Sequence, residues 1–154
     1  MGEGGRIATI KLAFDTARAA NPHATLLLND FDMSTAYECL IEGVLEAGVR
    51  IDALGLQSHM HQGWWGGEEK TARVLERFSR FGLPLHFTET TLVSGHLMPP
   101  EIDDLNDYQV DSWPSTPRGG RRARPTSSCG TTSCSSSTPA VQTITYWGGL
   151  GDAG

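Results

Sequence analysis

The feature that most constrains the fold of this chain is a regular alternation of amphipathic and apolar segments. Residues 7–19 carry apolar side chains at helical spacing, and the short apolar run 24–29 follows them. The same order repeats twice, with a helix before a strand at 51–59 and a helix over 68–81 before a strand at 85–89. Short apolar strands separated by helices predict an α/β fold built on a parallel sheet.

Local signals mark the ends of the connecting helices. Thr35 and Glu38 have the spacing of a capping box, which places the start of the second helix at Thr35. Gly48 stands where a left-handed C-terminal cap is expected, and Gly82 ends the third helix. These signals bound the two helices that join the three predicted strands.

Polar side chains gather at the end of each predicted strand or just after it. They form three groups: Asn29, Asp30 and Asp32; then Gln57, His59 and His61; then Glu89. In parallel α/β folds, and above all in barrels, catalytic residues lie at the carboxyl ends of the strands. The sequence therefore predicts a functional site at this edge of the sheet.

Length and charge exclude several classes of protein. The chain has 154 residues, enough for one domain but fewer than the about 200–250 residues of a full (β/α)8 barrel. A net charge of −6 argues against a nucleic-acid partner, and no apolar run reaches the ~20 residues of a membrane helix. Residues 1–6 hold no apolar signal core, which leaves the native location open. The odd count of three cysteines gives no disulfide framework. Cys129 and Cys134 have no histidine nearby and predict neither a zinc pair nor a nucleophile site, and no metal or cofactor is expected.

Four stretches hold the motifs at the predicted strand ends: Leu27–Phe31, Gly55–His59, Leu83–Glu89 and Ile144–Gly148. These stretches resemble glycoside hydrolase family 10, the endo-β-1,4-xylanase family. The first three agree with the family in order and spacing, and the fourth is similar to its eighth strand. The resemblance implies a (β/α)8 barrel in which these strands are the fifth to the eighth. The expected fold class is therefore α/β, with a partial, incomplete TIM barrel.

The resemblance also implies roles for residues near the strand ends. Glu89 takes the position of the catalytic nucleophile, and His59 takes that of the histidine that hydrogen-bonds it. Asn29, Gln57 and Trp147 fall at positions near the sugar-binding cleft. The implied activity is retaining hydrolysis of β-1,4-linked xylose polysaccharide, so the expected partner is xylan.

From the residues alone, other roles stay open. Glu89 is also consistent with a salt-bridged carboxylate, and His59 with a buried histidine bonded to backbone. Trp64 and Trp65 lie in a glycine-bearing loop, where they either stack on sugar rings or cover the barrel rim. His61 either contributes to substrate binding or faces solvent, and the pair His59-x-His61 lacks the third ligand of a metal site.

The second carboxyl group of a glycosidase is not evident in the sequence. A retaining enzyme needs two carboxyls about 5–5.5 Å apart, one to attack the sugar and one to protonate the departing oxygen. In the family, the acid/base glutamate follows an asparagine at the end of the fourth strand, and this chain contains no Asn-Glu pair. Asp30 and Asp32 follow a different strand and are expected to orient sugar hydroxyls or to start the next helix. We therefore expect the chain by itself to be inactive.

Two other functions stay open at this point. A non-catalytic remnant would keep the barrel fold and bind sugar weakly. An unrelated α/β barrel enzyme, such as an isomerase, would use Glu89 as a base. Release of reducing sugar from xylan separates the glycosidase from the isomerase, and catalysis as such separates it from the remnant.

The composition changes after residue 117, which predicts three regions. These are residues 1–117 as half of the barrel domain, 118–138 as an out-of-frame or disordered segment, and 139–154 as the last barrel strand and a truncated end. Residues 118–138 contain no Leu, Ile, Val, Phe or Met. Codons can be chosen for Arg124–Thr132 such that the frame one base earlier encodes Ala-Asp-Glu-Leu-Val-Arg-His-Tyr, an amphipathic helix. We interpret the segment as a frameshift, with a natural Ser/Thr-rich linker as the alternative.

Overall fold

The computed structural model describes residues 3–59, 65, 68–91 and 138–147. In chain order the elements are α1 (Glu3–Ala20), β1 (Leu27–Asp30), α2 (Thr35–Glu46), β2 (Ala53–Leu56), α3 (Glu68–Ser79), β3 (Leu85–Thr90) and β4 (Val141–Tyr146). The predicted alternation is confirmed, although α1 begins four residues earlier than expected. Among the helices in these ranges, none combines the length and apolar character needed to cross a membrane. All of the predicted out-of-frame segment except residue 138 lies outside the described residues.

The four strands form one parallel sheet in the consecutive order β1-β2-β3-β4. The β1–β2 and β2–β3 pairings keep a regular register, whereas the β3–β4 pairing shifts between Leu85 and His86 and again between Phe87 and Thr90. A barrel keeps its parallel strands in sequence order, whereas a doubly wound sheet reverses the order at a switch point. The observed order confirms the α/β prediction and is that of a barrel segment.

One apolar core lies on the helix-covered face of the sheet. The strands supply Leu28, Leu54, Leu56, Leu85 and Phe87, and the helices supply Tyr37, Ile41, Val44, Val74, Leu75 and Phe78. Ile7, Ile10 and Phe14 of α1 pack against this cluster. Each large apolar side chain that leaves water contributes about 1.5–3 kcal/mol. Packing of the helices against this face therefore holds in place the strands whose carboxyl ends carry the polar residues.

The opposite face of the sheet carries small and polar side chains. Asn29 of β1 pairs with Gly55 of β2, which in turn pairs with His86 of β3. A Cβ built on Gly55 would stand 2.9 Å from both Cβ and Cγ of Asn29. Because that Cβ is missing, the side chain of Asn29 lies over Gly55, and its Oδ1 accepts a 2.8 Å hydrogen bond from the Thr88 hydroxyl. Gly55 thus lets a side chain of β1 reach one of β3.

The N-terminus of α2 is capped by Ser34 and not by Thr35. Ser34 Oγ accepts a hydrogen bond from the backbone N–H of Ala36 at 3.1 Å. The predicted capping box is wrong because Glu38 is buried and paired with the guanidinium of Arg77 on α3. The carboxylate that would turn back to the cap instead joins two helices.

The C-terminus of α2 ends as the sequence predicts. Gly48 has φ 75°, in the left-handed region that glycine adopts without strain. Its N–H donates to the carbonyl of Leu45 at 2.9 Å, and the N–H of Val49 donates to that of Val44 at 3.2 Å. These two bonds form a Schellman motif, which satisfies carbonyls that the helix leaves unpaired. Gly82, after α3, also has a positive φ of 67°.

An ion pair ties α1 to the N-terminal end of the sheet. Arg18 donates hydrogen bonds to the carboxylate of Asp52 and to the carbonyl of Ala24. The backbone N–H of Leu26 donates to the same carboxylate at 2.8 Å. The Arg18 hydrogen bond, followed by that from Leu26, lowers the pKa of Asp52. In a barrel this end of the strands carries stability and not chemistry, so we assign this cluster a structural role.

Candidate active site

The side chains of His59 and Glu89 meet at the carboxyl end of the sheet. His59 Nε2 lies 3.3 Å from Glu89 Oε2, and only 7% and 22% of the two side chains are exposed. His59 follows β2, and Glu89 lies near the end of the neighbouring strand β3. The two residues that the sequence singles out for the reaction are therefore in contact, and the imidazole fixes the orientation of the carboxylate.

Hydroxyl and backbone groups hold this pair in place. Thr91 Oγ1 lies 3.0 Å from His59 Nδ1, on the side of the ring away from Glu89. The N–H of Thr91 donates to the carbonyl of Ser58 at 3.2 Å, and His59 and Thr91 form a parallel β-bridge. The buried hydroxyls of Ser58 and Thr90 lie 2.6 Å apart. Sequence reasoning missed these hydroxyls, whose one visible signal is that they neighbour the predicted site residues.

Trp147 follows β4 and lies beside the end of β3. Its N–H donates to the carbonyl of Thr90 at 2.9 Å, and its own carbonyl lies 3.4 Å from Thr91 Oγ1. The residue is 58% exposed. A large aromatic ring that is open to solvent supplies a rigid apolar surface to a ligand. The structure thus brings the predicted Trp147 to the same edge of the sheet as Glu89 and His59.

Asn29 and Gln57 lie on the two strands that precede the strand of Glu89. Asn29 is exposed at the end of β1, where Thr88 holds its amide oxygen. Gln57 directly follows β2 and is half-buried, and its N–H donates to the carbonyl of Asp30 at 3.0 Å. Both residues therefore stand on the predicted edge, Asn29 two strands and Gln57 one strand away from Glu89.

Trp65 is a core residue in this structure. It is 1% exposed, and its ring packs edge to face on Phe87 with 5.3 Å between the centroids. Its indole nitrogen is buried without a hydrogen-bond partner among the described residues. The packed ring is consistent with the alternative in which Trp65 covers the barrel rim, and the stacking of Trp65 on a sugar stays a prediction. The predicted His61 and Trp64 lie outside the described residues.

The carboxylates of Asp30, the last residue of β1, and of Asp32 are used in the turn that starts α2. Asp30 accepts the N–H groups of Phe31 and Asp32 at 2.8 and 3.0 Å, and Asp32 accepts the N–H and hydroxyl of Ser34, both at 2.8 Å. Neighbouring strands lie about 4.8 Å apart, so β1 is about 10 Å from β3, beyond the ~5–5.5 Å of a retaining pair.

Within the described ranges, no three His, Cys, Asp or Glu side chains are grouped to hold a metal.

Comparison with known proteins identifies the family. Residues 4–152 match the sequence profile of Glycosyl hydrolase family 10. The chain belongs to this family. Endo-1,4-beta-xylanase 5 of Pyricularia oryzae is 34% identical over 86 residues, which are 52% of this chain and 21% of that protein. Endo-1,4-beta-xylanase A of Halalkalibacterium halodurans is 37% identical over 86 residues, 52% of this chain and 22% of that protein. The family 10 chain thus spans about a fifth of the length of these curated relatives.

Solved xylanase structures share the fold of this family 10 chain. A thermostable mutant of the xylanase Xyn10A from Cellvibrio japonicus matches with a TM-score of 0.70 at 24% identity, over 92% of this chain and 43% of that one. Xylanase 10B from Thermotoga petrophila, in complex with xylobiose, matches with a TM-score of 0.65 at 25% identity, over 92% and 39%. The family resemblance and the partial α/β barrel are therefore confirmed, and membership groups the chain with the glycoside hydrolases.

Proposed function

We propose that this chain carries the nucleophile side of a retaining endo-1,4-β-xylanase site, with Glu89 as the nucleophile. The observation that carries the proposal is the 3.3 Å contact between Glu89 Oε2 and His59 Nε2 at the carboxyl end of a family 10 sheet. His59 holds Oε2, which leaves Oε1 to attack the anomeric carbon of the sugar. A carboxylate fixed in one orientation loses less entropy when it reaches the geometry of attack.

The substrate is a β-1,4-linked xylose polysaccharide. Both relatives named above are endo-1,4-β-xylanases by name, and one solved neighbour holds xylobiose. The exposed ring of Trp147 and the exposed amide of Asn29, on either side of Glu89, suit a sugar chain that needs apolar stacking and hydrogen bonds together. We assign Trp147 to stacking, and Asn29 and Gln57 to hydroxyl groups of the substrate.

No described carboxylate is placed to act as the general acid/base, and the chain contains no Asn-Glu pair. Support comes from the turn after β1, whose carboxylates Asp30 and Asp32 are held by backbone donors and stand two strands from Glu89. Without the second carboxyl, an alkoxide leaving group would depart unprotonated, and this is slow. We therefore expect the 154-residue chain on its own not to hydrolyse xylan.

A substrate with an activated leaving group tests the nucleophile separately from the acid. Dinitrophenyl β-xylobioside needs no proton for departure: Glu89 Oε1 bonds to the anomeric carbon, the carbon–oxygen bond to the aryl group breaks, and its electron pair leaves as dinitrophenolate. With no base to activate water, the xylobiosyl ester on Glu89 then accumulates. Intact-mass analysis and peptide mapping should find one xylobiosyl group on the peptide that contains Glu89.

Two variants complete the test. Glu89→Gln should abolish labelling, because a neutral amide does not attack. Glu76→Gln makes the same isosteric change at an exposed position of α3 and should label like the parent chain. Labelling that survives in Glu89→Gln would refute the assignment. A chain that binds xylooligosaccharide but never becomes labelled would instead be a non-catalytic sugar-binding protein.

A further inference from the structure

We propose that Thr91 is a positioning residue that holds the neutral form of His59 in the tautomer with its proton on Nε2, facing Glu89. The proposal rests on the nucleophilic role of Glu89 inferred above and adds a residue to that site. It starts from three distances around one hydroxyl group: Thr91 Oγ1 lies 3.0 Å from His59 Nδ1, 3.4 Å from the carbonyl of Trp147 and 3.5 Å from that of Glu89.

The contact between His59 Nε2 and Glu89 favours one of the two neutral tautomers of His59. A neutral imidazole has one N–H donor and one lone-pair acceptor. Glu89 Oε2, 3.3 Å from Nε2, is a carboxylate oxygen and accepts only. A proton on Nδ1 would therefore set the Nε2 lone pair against an anion. A proton on Nε2 makes that contact a hydrogen bond and requires a donor for Nδ1.

Thr91 supplies that donor. Its single hydroxyl hydrogen has three acceptors within reach, and the imidazole nitrogen at 3.0 Å is the shortest of the three contacts. The two carbonyl contacts, at 3.4 and 3.5 Å, lie at the limit of a hydrogen bond. The hydroxyl therefore donates to Nδ1, and the proton of the neutral ring goes to Nε2.

The backbone keeps the hydroxyl in register with the ring. The N–H of Thr91 donates to the carbonyl of Ser58, the residue before His59, and His59 and Thr91 are themselves bridge partners. Both residues thus move with the same pair of strands. The chain of contacts runs from the Thr91 hydroxyl through the imidazole of His59 to Glu89 Oε2, the carboxylate oxygen that His59 holds.

The hydroxyl also accommodates a protonated ring. When His59 carries both N–H groups, Thr91 rotates its hydrogen toward the carbonyl of Trp147 or Glu89 and accepts from Nδ1. A valine at position 91 has nearly the same shape but neither donates nor accepts. It would leave Nδ1 of a largely buried ring without this partner, and the orientation of His59 against Glu89 would loosen.

The ring nitrogens report the tautomer directly. In the ¹⁵N-labelled 154-residue chain, at a pH where His59 is neutral, long-range ¹H–¹⁵N spectra should give a pyrrole-type Nε2 and a pyridine-type Nδ1. Thr91→Val should shift the Nδ1 resonance toward that of a nitrogen with no hydrogen bond. It should also slow labelling by dinitrophenyl β-xylobioside about tenfold, the size of effect expected for one lost hydrogen bond.

Matched variants separate this role from general damage. Thr91→Ser keeps the hydroxyl and should restore both the spectrum and the labelling rate. Thr71→Val makes the same change at a buried position of α3, outside the site, and should leave the His59 nitrogens unchanged. A protonated Nδ1 in the parent chain would overturn the proposal, as would a Thr91→Val chain with unchanged nitrogens and labelling. If the parent chain never becomes labelled, the nucleophile assignment fails, while the spectra still decide the tautomer.

Discussion

Replacement of Gly55 by alanine probes the contact between the first and third strands of the sheet. The new Cβ would stand 2.9 Å from both Cβ and Cγ of Asn29, closer than carbon atoms approach without strain, and it would also meet the amide oxygen. Asn29 has little room to move, because Thr88 holds its amide oxygen at 2.8 Å. The substitution therefore forces either a strand shift or the loss of that hydrogen bond.

The expected cost combines three terms. Overpacking of a well-packed site costs typically about 1–3 kcal/mol, and the lost Thr88–Asn29 hydrogen bond costs about 1 kcal/mol. Replacing glycine inside a strand returns about 0.5–1 kcal/mol, because the unfolded chain loses freedom. We expect Gly55→Ala to lower the free energy of unfolding by about 2 kcal/mol, or the melting temperature by roughly 4–8 °C.

Urea unfolding followed by circular dichroism measures this cost, with Gly5→Ala as the matched control. A Cβ on Gly5, in α1, meets nothing within 4 Å, so this variant should gain about 0.5–1 kcal/mol. If the free energy of unfolding falls in Gly55→Ala and rises in Gly5→Ala, the clash with Asn29, and not the loss of a glycine, decides the result.

A double variant locates the clash. Asn29→Ala removes the Cγ and Oδ1 contacts and keeps the Cβ contact, so Gly55→Ala should cost about 1 kcal/mol less in that background. The packing of Asn29 over Gly55 would be wrong if Gly55→Ala stabilised the chain as Gly5→Ala does. It would also be wrong if Gly55→Ala lowered the free energy of unfolding equally with and without the Asn29 side chain.

Three further outcomes follow from the packing and charges of the described residues. Arg77→Met should lower the free energy of unfolding by about 2 kcal/mol in urea, since it removes one of the two guanidinium groups, those of Arg77 and Arg80, that pair with the buried carboxylate of Glu38; no change would mean that Arg80 and solvent satisfy the carboxylate. Because the pKa of Asp52 is lowered in the folded chain, the unfolded chain takes up the proton at a higher pH. The ionised carboxylate therefore stabilises the fold above about pH 4, and this contribution disappears as the pH falls through the folded pKa. Asp52→Asn should therefore flatten the acid limb of stability against pH, and an unaltered limb would contradict the role of Arg18. Burial raises the pKa of Tyr37, so one of the three tyrosines should ionise only on alkaline unfolding, and Tyr37→Phe should lack that part of the phenolate absorbance; an unchanged titration curve in Tyr37→Phe would refute this.

The sequence was enough to predict the alternation and the edge of the sheet that carries polar residues. Helical and strand spacing are local properties, and parallel strands bring their carboxyl ends together wherever the connecting helices lie. For this reason Glu89 and His59, more than twenty residues apart along the chain, were predicted to stand near each other, and the structure has them in contact.

Other features depended on packing that local patterns do not contain. Ser34 and Thr35 are both good caps, and the choice between them followed from the burial of Glu38 against a distant helix. Trp65 is an aromatic residue of a glycine-bearing loop, and only the tertiary structure shows its ring on Phe87. The hydroxyl of Thr91 reaches His59 through the alignment of two strands, which spacing along the chain does not specify.

The consecutive strand order has a consequence for how the site is assembled during synthesis. β2 and β3 each pair with the strand made just before them, so the loops that close first are the shorter ones, and early contacts form quickly. The carboxylate and the imidazole can therefore meet while the ribosome is still translating the 50 residues that separate Thr90 from Val141. Trp147 arrives only after that longer segment has left the exit tunnel. Nascent chains stalled before Val141 should thus differ in the aromatic surface of the site from chains extended far enough beyond Trp147 to bring it out of the tunnel, and both should share the nucleophile pair.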